Sequence, residues 1–401
     1  MADITVYGAP WCPDCRRSKQ FLGEQRVDFD WVDIDGNDEA AAFVREKNGG
    51  RQIIPTIVFP DGSILAEPEN SEIAQKLGLR LKAERRFYEL VIVGGGPAAL
   101  TAAIYAAREG IDTLIIERGA LGGQAGVTER IDNYPGFPDG VPGGELAGRF
   151  IEQARRYGVE MLSAVDVKSV HRDKAYVIVD TDQGDEYCAL AVLVVTGSTY
   201  RRLEVDGEDD LIGAGIHFCA TCDGPFYRGA QELMVVGGGN SAAEEALFLT
   251  EFADKVRIVH RGDALKASAV VQEKVLSHPK IEVNLDTRVV EVKPDGSGKL
   301  GTVVVESDGR RRDLHPAAAF VFVGLDPNTA FLSGSVDLDE YGFVVTGDDF
   351  STSLKGVFAA GDVRAGSTKQ LASATGEGVA ALLSIRRYLE KVGDLAVHAE
   401  D

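Results

Sequence analysis

The chain has 401 residues, and 63 Asp and Glu against 42 Lys and Arg leave a formal net charge of −21. That balance argues against nucleic acid or an anionic membrane as the main partner, and no apolar run approaches the roughly 20 residues of a membrane span. The N-terminus shows neither a basic region nor an apolar signal core, so a cytoplasmic protein of two or three domains is expected.

Residues 4–7 read as a short apolar strand, followed by a turn through Trp11 into Cys12-Pro-Asp-Cys15 and a helix to about 22. A strand over 29–34, a helix over 39–47, a strand over 53–59 entered through Pro55, a hairpin turn at 60–63 and a helix over 72–79 complete a small α/β unit. Residues 81–87 form a charged linker, spanning at most about 25 Å if extended. A buried strand then runs into the turn Gly94-Gly-Gly96-Pro97-Ala98-Ala99, an Ala-rich helix to 110 and a strand over 113–117. The same pattern recurs at Gly237-Gly-Gly239-Asn240-Ser241-Ala242, with a helix to about 252 and a strand over 256–260. Gly94 stands as far from Glu117 as Gly237 does from His260, so the two Gly-x-Gly-x-x-Ala turns are an internal repeat of dinucleotide-binding folds.

In such a turn the first glycine permits the tight bend, and the second lets the backbone approach a pyrophosphate at a helix N-terminus. Glu117 closes the first repeat, suiting a free ribose and repelling a 2′-phosphate. His260-Arg261, with Lys266 nearby, closes the second and suits a 2′-phosphate. The first site is thus expected to hold an unphosphorylated adenosine, as in FAD, and the second NADPH rather than NADH.

Of five cysteines, four form the C-x-x-C pairs Cys12/Cys15 and Cys219/Cys222. Cys12 falls at a helix start, where the macrodipole and free N–H groups favour its thiolate, and Cys15, one turn on, can resolve a mixed disulfide. Asp223 can exchange a proton as the second pair changes oxidation state. His217, two residues before Cys219, is read first as structural and second as a group able to tune that thiol. A zinc site built from both pairs is disfavoured, because they fall in separate domains, and no metal is expected. Cys188, alone in a strand, reads as a packed core residue.

Residues 88–391 resemble low-molecular-weight thioredoxin reductases, through Gly94–Ala99, Gly122-Gly-Gln124, Asn133-Tyr-Pro-Gly136, Cys219-Ala-Thr-Cys222-Asp223-Gly224, Gly237–Ala242 and the segment ending in Gly361-Asp362. Residues 1–80 resemble a glutaredoxin of the mycoredoxin type, through Trp11-Cys-Pro-Asp-Cys15, Asn48-Gly-Gly50, Ile54-Pro55-Thr56 and Phe59-Pro-Asp-Gly-Ser63. The resemblance implies a thioredoxin-like (glutaredoxin) fold followed by two Rossmann-like domains, the NADPH domain inserted in a split FAD domain. The implied segments are 1–80, the linker 81–87, FAD-binding 88–204 and 327–391, NADPH-binding 205–326, and a tail over 392–401. It further implies that Gly94, Gly96, Pro97, Ala98, Glu117, Gly122, Gln124, Asn133, Gly361, Asp362 and Gln370 hold FAD. Trp11 and Pro55, the latter as a cis-proline, would flank the N-terminal pair on its substrate side. Cys222 would lie next to the flavin, and Cys219 would be the interchange thiol.

The family is homodimeric. The chain departs from its pattern at Gly262 and Lys266, where the family has arginines, and at Thr368-Lys369, where it has Tyr-Arg. Electrons are expected to run from NADPH through FAD and Cys219/Cys222 to the tethered Cys12/Cys15, then to a thioredoxin, a peroxiredoxin or a mixed disulfide of a low-molecular-weight thiol. Alternatives are a peroxiredoxin reductase of the alkyl-hydroperoxide type, a flavin-dependent dithiol oxidase, and a redox sensor without turnover.

Overall fold

The computed structural model describes residues 4–25, 27–128, 130–131 and 133–397. It divides into two units, residues 1–197 with 327–401, and residues 198–326.

The first unit opens with β1 (Ile4–Gly8), α1 (Pro13–Glu24), β2 (Phe29–Asp33), α2 (Asp38–Lys47), β3 (Thr56–Val58), β4 (Ile64–Ala66) and α3 (Asn70–Lys76). Its sheet has the order β2-β1-β3-β4, with β1 parallel to β2 and antiparallel to β3. Alternate residues of β1 are buried, as a half-covered strand requires, and Val6, Phe21, Leu22, Ile57 and Ile73 fill the core. β3 begins at Thr56 rather than 53 because Pro55 has no N–H to give a ladder; the Ile54–Pro55 bond is cis. α3 begins ahead of residue 72 because the Glu72 carboxylate accepts the Glu69 N–H at 2.8 Å and caps the first turn.

Next come β5 (Phe87–Val93), α4 (Pro97–Arg108), β6 (Thr113–Ile116), α5 (Gly123–Val127), α6 (Gly143–Arg156), β7 (Glu160–Leu162), β8 (Val167–Asp173), β9 (Tyr176–Thr181) and β10 (Glu186–Val194). β7-β6-β5-β10 is a parallel run, which β9 and β8 extend antiparallel.

The linker is not a free tether. Glu160 accepts from Arg80 Nη1 at 2.9 Å, from the Glu84 N–H at 2.8 Å and from the Tyr88 hydroxyl at 2.5 Å. The Tyr187 hydroxyl accepts the Ala83 N–H at 3.1 Å, and Lys82 pairs with Asp185 at 2.7 Å. Leu81 packs on the cores to either side of it, and Ala164 joins the glutaredoxin-like core. Gln25, just past the C-terminal end of α1, donates to the Gly119 carbonyl at 3.3 Å, while Cys12 caps the opposite end of that helix.

The second unit contains β11 (Ser198–Tyr200), α7 (Glu208–Leu211), β12 (Ile216–His217), α8 (Ala220–Asp223), β13 (Ala230–Val236), α9 (Asn240–Leu249), β14 (Ala253–Val259), α10 (Ala269–Ser277), β15 (Ile281–Asn284), β16 (Thr287–Pro294), β17 (Leu300–Ser307), β18 (Arg310–Leu314), β19 (Ala319–Val321) and β20 (Leu325–Pro327). A parallel sheet β12-β19-β13-β14-β15 lies beside the antiparallel β16-β17-β18. The division falls at 198 rather than 205, because β11 pairs with β20 and so belongs with the returning strand. The chain ends in β21 (Val357–Ala359), which extends the first sheet through β10, and in α11 (Leu371–Val397). The first six residues of the expected tail thus continue a helix, and the last four lie outside the described residues.

Candidate active site

The two Gly-x-Gly-x-x-Ala turns are built alike. Gly94 has φ +111°, and a Cβ there would stand 2.5 Å from the Val195 carbonyl oxygen; Gly237 has φ +149°, and a Cβ would stand 2.4 Å from that of Phe322. Each must therefore be glycine. A Cβ on Gly96 or Gly239 would meet nothing, so both turns are open where a phosphate approaches the helix start. Pro97 and Asn240 are the first residues of α4 and α9, Ala98 and Ala242 are buried on them, and Ser241 is exposed.

At the first turn the Glu117 carboxylate accepts the Gly95 N–H at 2.5 Å and the Gly119 N–H at 2.7 Å. Its aim is fixed before any ribose arrives. Gly122 donates its N–H to the Gly95 carbonyl at 2.8 Å, and Gln124 is exposed on α5. Asn133 donates to the Gln370 side chain at 3.2 Å, bringing together two predicted residues far apart in sequence. Gly361 donates its N–H to Glu377 at 2.8 Å, and Glu377 also holds Arg364. Asp362 keeps a buried Oδ1 with no hydrogen-bond partner, and burial pushes its carboxyl above the usual range. A buried acceptor without a donor is costly unless a ligand supplies one. The open turn, the fixed Glu117 and this oxygen fit the adenosine and sugar hydroxyls of a flavin dinucleotide. Lys369 donates to the Asp362 carbonyl at 2.6 Å.

At the second turn the His260 ring lies on the glycine backbone, its Nδ1 2.4 Å from where a Gly238 Cβ would be. Lys266 donates its N–H to the Gly238 carbonyl at 2.7 Å, and Asn240 accepts the Ser268 N–H at 2.7 Å. His260 Nε2 is buried without a partner, and the side chains of Arg261 and Lys266 are exposed close by in sequence. This donor set fits a nucleotide phosphate.

Cys219 is in a disulfide, and the side chain of Cys222 lies outside the described residues. The Asp223 N–H donates to the Cys219 carbonyl at 3.1 Å, closing the turn that carries the pair. Cys12, Cys15 and Cys188 are free thiols. Cys12 Sγ accepts the Cys15 N–H at 3.1 Å, as the N-cap of α1. Burial, then the hydrogen bond to Cys12, push the Cys15 thiol up to about 12. Trp11 is 65% exposed, its indole N–H donating to Asp35 at 2.7 Å. A Cβ on Gly8 would come within 2.8 Å of Cys15 Sγ, so the floor under the pair needs glycine.

The sequence profile of the pyridine nucleotide-disulphide oxidoreductases matches residues 88–378, and that of the glutaredoxins residues 4–64. The chain belongs to the thioredoxin reductase family, with a glutaredoxin domain at its N-terminus. The thioredoxin reductase of Listeria monocytogenes is 40% identical over 314 residues, 78% of this chain and 97% of its own. That of Bacillus subtilis is 38% identical over 312 residues, 77% of this chain and 97% of its own. Among solved structures, the Streptococcus pyogenes thioredoxin reductase superposes with a TM-score of 0.72 at 38% identity, covering 76% of this chain and 99% of that one. The Giardia duodenalis enzyme gives 0.72 at 35%, covering 76% and 100%. As a thioredoxin reductase the chain is a disulfide oxidoreductase, of a family that uses FAD and NADPH and acts on a disulfide substrate. Among the described residues no helix is long and apolar enough to cross a membrane.

Glu377, Arg364 and Tyr227 are contributors that the sequence reading did not single out. Glu377 sits inside a long helix with nothing to mark it. Tyr227 ends the 3-10 turn Gly224–Tyr227 that follows Asp223, and no helical spacing marks it in the sequence.

Proposed function

We propose that this reductase carries its own acceptor: electrons pass from NADPH by way of FAD to Cys219/Cys222, then to Cys12/Cys15 and on to an external disulfide. FAD, when bound, couples the two-electron pyridine nucleotide to the disulfide. Gly94, Gly96, Pro97 and Ala98 would take its pyrophosphate, Glu117 its ribose, and Gly122, Gln124, Asn133, Gly361, Asp362 and Gln370 the remainder. Gly237, Gly239, Asn240, Ser241 and Ala242 would take the nicotinamide dinucleotide, with His260, Arg261 and Lys266 on its 2′-phosphate. The enzyme would work as a cytoplasmic homodimer, on a thioredoxin, a peroxiredoxin or a mixed disulfide of a low-molecular-weight thiol.

The observation that supports the outlet most strongly is the chemistry of the N-terminal pair. Cys15 is held protonated by burial while Cys12 sits at a helix start with an N–H on its sulfur. Cys12 thiolate would attack the substrate disulfide and release one thiol. Cys15 would then attack the mixed disulfide, giving up its proton, and leave the Cys12–Cys15 disulfide and a second thiol. Cys219/Cys222 would reduce that disulfide again. Trp11 and Pro55 would border the substrate. Cys12→Ser is expected to abolish turnover with a mixed-disulfide substrate while leaving NADPH-driven flavin reduction intact. Unchanged turnover would place the outlet at Cys219/Cys222 itself.

A further inference from the structure

His217 ends β12 and is only 8% exposed. Its ring packs 5.4 Å from both Tyr227 and Phe320. Nδ1 stands 3.4 Å from Asp223 Oδ2, and Nε2 2.7 Å from the Tyr227 hydroxyl. With a neutral imidazole one arrangement satisfies every atom: Nδ1–H donates toward the Asp223 carboxylate, and Nε2 accepts the Tyr227 O–H. Burial, then the charge of Asp223, push the Tyr227 hydroxyl up to about 12, so it stays a donor. Asp223 is four residues beyond Cys219 across the turn its N–H closes, a spacing that sets both side chains on one side.

We propose that His217 is a positioning residue for Asp223, and that Tyr227, His217 and Asp223 form a hydrogen-bonded chain serving the Cys219/Cys222 pair. The proposal rests on the redox role given to that pair above. When the disulfide takes two electrons the sulfur–sulfur bond breaks and leaves two thiolates, which take two protons from solvent to become thiols. Asp223, the carboxylate that accepts the Nδ1–H of His217, lies on the same turn, and that hydrogen bond fixes its orientation and spreads its charge, while the Tyr227 O–H donated to Nε2 fixes the imidazole. Without the imidazole a partly buried carboxylate would lack its donor, and its charge would oppose a thiolate on the same turn. Of the elements around the ring, β19 presents Phe320, which does not titrate, and α9, packed on α8, carries Glu245, whose carboxyl burial holds above its ordinary value.

The test is the pH dependence of iodoacetamide alkylation at Cys219, located by mass spectrometry, on full-length protein reduced with dithiothreitol. His217→Ala is expected to raise the midpoint by about one unit, because Asp223 then bears an uncompensated charge. His217→Gln, which keeps an N–H within reach, recovers part of that shift, and Tyr227→Phe moves the midpoint the same way by less. Asp223→Asn lowers it, and adding His217→Ala to Asp223→Asn moves it no further. If His217→Ala leaves the midpoint in place, or shifts it as much in the Asp223→Asn background as in the wild type, His217 is a packed core residue and the proposal fails. The readout uses no NADPH, so failure of the electron route is seen separately, in Cys12→Ser turnover.

Discussion

At the second nucleotide turn the His260 imidazole is the group proposed to make cofactor binding answer to pH. Burial, then the Lys266 cation, hold His260 below the ordinary histidine value, so free enzyme carries it neutral at pH 7. A 2′-phosphate bound beside the imidazole would favour imidazolium, so its binding would take up a proton. Above the pKa of the free enzyme that proton costs more with every unit of pH. The KM for NADPH is therefore expected to rise between about pH 6 and 8, by up to about tenfold per unit, while that for NADH stays flat. His260→Ala should flatten both profiles; parallel profiles in the wild type would contradict the assignment. The sequence shows Gly262 only as a lost arginine fork. The structure adds that a Cβ at 262 would stand 2.8 Å from His260 Nε2, so glycine there leaves room for the imidazole ring.

Among the elements, the linker differs most from its sequence reading. Its charges suggest a solvated tether delivering the N-terminal domain at an effective concentration around millimolar. Instead Glu160, far along the chain at the start of β7, gathers Arg80, the Glu84 N–H and Tyr88. No local pattern announces such a clasp, because its partners meet only once β7 has joined the sheet. By contrast, both glycine turns and the start of α1 were legible, since each is fixed by residues a few positions apart. Burial pushes the Glu160 carboxyl up, but the bonds from Tyr88, Glu84 and Arg80 outweigh it and hold it below the ordinary value. Its stabilising contribution is thus complete above the unfolded-state pKa of about 4.3 and is lost as pH falls through the lower folded value. Glu160→Gln is expected to weaken the clasp by about 1–3 kcal/mol and to speed tryptic cleavage after Lys82, Arg85 and Arg86 at pH 8 several-fold. Equal cleavage rates in the two proteins would mean that the Ala83–Tyr187 and Lys82–Asp185 contacts and the packing of Leu81 hold the linker without Glu160.

For the whole molecule, the repeat of two nucleotide folds can be read from spacing, because matching turns and strands recur at matching intervals. The fusion itself also shows in the sequence, as two C-x-x-C pairs in two different motif contexts. The order of the sheets and the residues that fix each pair appear only in three dimensions, as with Glu377 under Gly361 and Tyr227 beside His217. If both pairs are wired to one flavin, the end point of an anaerobic NADPH titration of the oxidised full-length protein, followed by flavin absorbance, counts them. FAD and each disulfide take two electrons, so about three equivalents per flavin are expected before reduction is complete. An end point at about two equivalents would mean that Cys12/Cys15 stands outside the chain of transfer.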